Sequence, residues 1–93
     1  MSETVVYKYD MPVSSDVTIE MPAGAQILRV AHFNGQSSVW ALVDLKNDMQ
    51  SYHFMVVGTG MVVNDERFRG SKYIGSIIDG PFIWHVFSVL DPF

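Results

Sequence analysis

The chain has 93 residues, of which 48% are hydrophobic and 17% charged, with a formal net charge of −4 and no cysteine. One domain spanning residues 1–93 is expected, and so apolar a composition with so little charge excludes disorder. The acidic balance argues against broad affinity for nucleic acid or anionic lipid, and the lack of cysteine removes disulfides, thiolate chemistry and Cys-ligated zinc.

The opening "MSETVVYKYDMP" has no basic segment followed by an apolar one, so it does not read as a signal peptide. Apolar runs fall short of the ~18–20 residues that span a bilayer, so a soluble protein in a reducing cytoplasm is expected, with no membrane partner. Short β-branched and aromatic runs follow, read as strands near Thr4–Tyr9, Asp16–Met21, Gln26–Phe33, Ser38–Asp44, Ser51–Val57, Met61–Val63, Tyr73–Ile78 and Phe82–Val89. Turn formers separate them: "DMPVSS", "PAGA", "NG", "LKNDMQ", "GTG", "NDERFRGS" and "DGP". Strands at ~8–12-residue spacing predict an all-β domain, a small antiparallel β-sandwich or partly open barrel of about eight short strands. No window sustains a 3.6-residue apolar period, which leaves at most one helical turn, in "NDERFRG".

The best-defined unit is a hairpin around Asn34-Gly35, because a type I′ turn needs φ > 0 at both central residues. Counting outward pairs Phe33 with Gln36, Val30 with Val39, Arg29 with Trp40 and Leu28 with Ala41. Leu28, Val30, Val39, Ala41 and Val43 then form a core face. Ile27, Arg29, Trp40 and Leu42 form the other, with Arg29 over the Trp40 ring as a cation–π pair of ~0.5–1 kcal/mol. That second face is too apolar for plain solvent surface, and reads as a second packed layer or an interface.

"FMVVGTGMVVN" places Gly58 and Gly60 inside an apolar run. A dinucleotide loop would open a helix and a P-loop would continue with Lys, yet Met61-Val62-Val63 follows, so the glycines mark a bend between strands. His32, His53 and His85 sit in separate strands without metal-ligand spacing, and no nucleophile elbow accompanies them, so neither a metal, a cofactor nor a catalytic residue is expected. One stretch has the chemistry of a binding loop. In "NDERFRGSKY", Arg67, Arg69 and Lys72 surround Gly70-Ser71, with Phe68 and Tyr73 as stackable rings for an anionic ligand such as a nucleotide. Its plainer reading is a solvated loop in which Asp65 and Glu66 offset two of the positives.

The segments "VYKYDMPVSSDVTIEMPAGAQILRV", "VWALVD", "VVGTG", "YIGSI" and "WHVF", in that order, resemble a family of small bacteriophage-encoded proteins, from Val6 to Phe87. The family has no assigned activity or catalytic residues. The resemblance implies an accessory protein of the infected host's cytoplasm that acts by binding a host protein, a defence complex being one such target. Two further readings stand beside it: an oligomeric sponge for a nucleotide-type signal, and a virion or assembly component. Contact is expected through Arg29 and Trp40, together with Arg67, Phe68, Arg69, Lys72 and Tyr73, since Trp and Arg dominate interface hot spots. The apolar surplus also predicts a homodimer, through the Ile27/Trp40/Leu42 face or the C-terminal "FIWHVFSVLDPF".

Overall fold

The computed structural model describes residues 3–63 and 66–89, Arg67 by its backbone alone. Within them the chain forms β1 (Thr4–Asp10), β2 (Val17–Pro22), β3 (Gln26–Phe33), β4 (Gln36–Asp44) and β5 (Met49–Gly58). A 3-10 turn (Glu66–Phe68), β6 (Lys72–Asp79) and β7 (Phe82–Val89) complete it. All pairings are antiparallel, in a three-stranded sheet β1-β4-β3 and a four-stranded sheet β2-β5-β7-β6, with no closed barrel. The expected strand at Met61–Val63 does not form. Its residues are apolar, two of them β-branched, but no described strand lies beside them, and Val62 is 82% exposed.

The Asn34-Gly35 turn forms as expected, with φ of 51° and 77°, and fixes the register from Phe33↔Gln36 to Arg29↔Trp40. The alternation then breaks. A bulge between Ile27 and Arg29 pairs Ile27 with Ala41, so Leu28 has no partner of its own. Ile27, not Leu28, packs on the core, and Leu28 is 47% exposed. One extra residue has exchanged the faces of two neighbours.

Alternate side chains from both sheets fill the space between them. Val17, Ile19, Met21, Phe54, Val56, Ile77 and Val86 of one sheet meet Val30, Val39, Ala41 and Val43 of the other, with Met11 from the β1–β2 connection. The molecule is only 15 Å thick along its short axis, which fits two layers about 10 Å apart and no third. The sheets meet along β3 and β6, where Gly75 lies against Val30 and His32 Nε2 stands 3.6 Å from Asp79 Oδ1. Among the described residues, no helix is long and apolar enough to cross a membrane.

Candidate binding surfaces

Register places three residues in one row across the outer face of the three-stranded sheet. Lys8 of β1 pairs with Trp40 of β4, and Trp40 pairs with Arg29 of β3. Trp40 is half-buried between two exposed cations. Val6, opposite Leu42, is 54% exposed, and Phe33 at the hairpin tip is 68% exposed. No described element covers this face, so the second packed layer does not form among the described residues. Two expectations are corrected. Ile27 turns inward, because the bulge moves it to the core side. Arg29 and Trp40 are cross-strand neighbours without a cation–π contact, the bulge beside Arg29 bending the strand there.

The segment carrying Arg67, Phe68, Arg69, Lys72 and Tyr73 is arranged differently. Arg69 N donates to Glu66 O at 3.0 Å, and Ser71 donates to Phe68 O through both its N–H (3.3 Å) and its hydroxyl (2.8 Å). The tightened loop drops the Phe68 ring onto Phe87, 4.5 Å between centroids, and Tyr73 meets Phe87 edge-on at 5.5 Å. Tyr73 also shares a 2.5 Å hydrogen bond with Ser76. The loop thus covers part of the outer face of the four-stranded sheet, where Met55, the cross-strand neighbour of Phe87, is buried. Of the two rings expected to stack on a ligand, Phe68 is half-buried against Phe87, while Tyr73 stays 53% exposed. Arg69 and Lys72 remain exposed, with no carboxylate partner among the described residues. The Arg67 side chain and Asp65 lie outside the described residues, as do the last four residues of the C-terminal segment.

The histidines stand apart, each beside a hydroxyl. His32 Nδ1 is 2.9 Å from Ser37 Oγ, His53 Nδ1 3.1 Å from Thr18 Oγ1, and His85 Nε2 2.8 Å from Thr59 Oγ1. Among the described residues, no group of three His, Asp or Glu side chains is placed to hold a metal ion. Beside Thr59 an open pocket of about 190 Å³ is lined by Gly58, Met61, Phe82 and Trp84 among others. Gly58 is glycine for space: a Cβ there would lie 2.9 Å from the Trp84 ring and 3.0 Å from Met61 Sδ. Gly60, at φ 86°, lies in the turn that ends β5, but the strand expected after it does not form.

Among the described residues, two ionisable groups are displaced from their ordinary values. Burial, and then neighbouring Tyr7, push the Tyr9 phenol up. The backbone N–H of Lys46, then that of Glu3, hold Asp44 below the usual carboxylate value. Neither group lines the pocket. On this outer face, sequence reasoning found Arg29 and Trp40 and missed Lys8 and Val6. Alternation within Thr4–Asp10 puts Val6 and Lys8 on one face, but only the distant β1–β4 pairing sets that face beside Trp40.

The chain belongs to the family described as Domain of unknown function (DUF7352), whose model matches residues 2–92. No curated protein and no solved structure matches it.

Proposed function

We propose that this member of a family without an assigned activity is a non-enzymatic binding protein that engages another protein through the outer face of its three-stranded sheet. The row Lys8–Trp40–Arg29 on an uncovered face carries the reading. A half-buried Trp between cations, with Val6, Leu42 and Phe33 around it, has the composition of an interface centre. A partner offering an apolar recess flanked by carboxylates would complement it, although the chain as a whole is acidic. With the resemblance to phage-encoded proteins, the partner is a host protein in the infected cytoplasm, and occlusion of its surface is the mode of action. The nucleotide-sponge reading is weakened because the Phe68 ring is packed on Phe87.

The test is capture of host proteins by the immobilised chain, comparing Trp40→Ala and Arg29→Glu with Arg69→Glu and Lys72→Glu. The partner should be retained by the loop variants and lost from the face variants, all with native circular dichroism. Loss from the loop variants alone would place the contact on the other sheet. A melting temperature raised by a nucleotide would favour the sponge.

A further inference from the structure

Ladder parity along β1 identifies which of its backbone groups are unpaired. Leu45 N donates to Glu3 O at 3.0 Å, and Met11 N donates to Ser37 O at 2.9 Å, just before and just after the strand. Antiparallel ladders bond alternate residues. Odd-numbered residues of β1 therefore bond to β4, and the N–H and C=O groups of Thr4, Val6, Lys8 and Asp10 point away from it. No described strand lies on that side, since β1 is the edge of its sheet.

The other edges are guarded. Ala23 N donates to Asp48 O at 2.8 Å, so by the same parity Thr18, Glu20 and Pro22 face the open side of β2. Pro22 has no N–H to offer an added strand, which blocks pairing at that end of β2. The edges β3 and β6 face one another, each carries a bulge, and Gly75 packs on Val30 between them. Among the described edges, β1 is the one whose ladder carries neither a bulge nor a proline.

We infer that two copies of the chain join through β1, antiparallel, about a twofold axis at Tyr7, merging their three-stranded sheets into one. In this register the outward groups of Val6 meet those of Lys8 in the second copy, and those of Thr4 meet those of Asp10, so the whole strand overlaps. No like charges fall directly opposite one another. Tyr7, 45% exposed and 6.3 Å edge-on to Tyr9, meets its own copy at a non-hydrogen-bonded position, where cross-strand side chains come closest. Four tyrosine rings then cover one another across the axis. This contact uses the sheet's edge and leaves the Trp40 face open, so it stands independently of the binding role proposed above.

The chain has no cysteine, which allows a positive test. Tyr7→Cys should cross-link into a covalent dimer under mild oxidation, because a non-hydrogen-bonded antiparallel pair brings its two side chains together. Ser14→Cys, in an exposed loop, should stay monomeric. Light scattering at micromolar concentration should give two chains for the wild type. Val6→Pro should give one chain with native circular dichroism, since it removes an outward N–H and no bond to β4. A single-chain wild type, a two-chain Val6→Pro, or Tyr7→Cys cross-linking no faster than Ser14→Cys would each overturn the inference. If Val6→Pro does not fold, the two cysteine variants decide it.

Discussion

Gly75 and Val30 touch across the seam between the two sheets with no space for a methyl group between them. A Cβ on residue 75 would lie 2.6 Å from Val30 Cγ2, and its φ of 152° belongs to a region that L side chains rarely enter. Val30 is a core residue of β3, so the close approach sets how deeply β6 nests against the other sheet.

Replacing Gly75 by Ala should therefore cost about 2–4 kcal/mol, combining overpacking with backbone strain. Gly35→Ala is the matched control. Its φ of 77° is also positive, but nothing lies within 4 Å of the added carbon, so it should cost only about 1–2 kcal/mol. Urea unfolding of the pair measures both. Equal losses would mean that the seam gives way and only strain counts.

Phe68 should behave as an anchor. Removing a half-buried ring that rests on Phe87 should cost about 1–2 kcal/mol in Phe68→Ala. The larger effect should be local, as the loop lifts and Arg69 and Lys72 become open to trypsin. Limited proteolysis should cut this variant at the loop well before the wild type, with Gly75→Ala as a control for general destabilisation.

Acid should expose the role of Asp44. Its Oδ1 accepts the backbone N–H of Lys46 at 3.0 Å and of Glu3 at 3.1 Å, tying the start of β1 to the β4–β5 turn. These bonds hold its pKa below the ordinary 3.8. A carboxyl lowered on folding adds stability that is complete above its unfolded value and fades as pH falls through the folded one. Asp44→Asn should thus melt below the wild type near neutrality, and the two curves should converge in strong acid. A gap that stays constant with pH would assign the effect to packing.

Local signals were readable in the sequence; pairings between distant segments were not. Asn34-Gly35 set the β3–β4 register as far as Arg29↔Trp40, because the counting began at a turn whose geometry those two residues dictate. It failed one step later, where adjacent Ile27 and Leu28 are both apolar and either could face inward. Met61–Val63 has strand composition, yet composition supplies no neighbour. The loop at Arg67–Lys72 looked like a ligand site because Phe68 and Tyr73 are aromatic, and sequence carries no sign that Phe87 engages both rings. Trp40 was found and Lys8 was not, since β1 and β4 meet only after the chain has passed through β2 and β3.

That order of pairing governs how the protein can be made. The chain crosses between its sheets repeatedly: β1 to one, β2 to the other, β3 and β4 back, β5 across again. During synthesis β1 and β2 leave the ribosome without partners and wait for β4 and β5. Their two closures overlap in sequence, so β2 lies inside the loop that the β1–β4 pairing closes. The β3–β4 and β6–β7 hairpins are the pieces that can nucleate early, and the long closures between them place folding in the millisecond-to-second class of non-local β topologies. A chain stopped anywhere before β7 would lack strands from the four-stranded sheet and hold an unfinished core, which makes the domain a single kinetic unit.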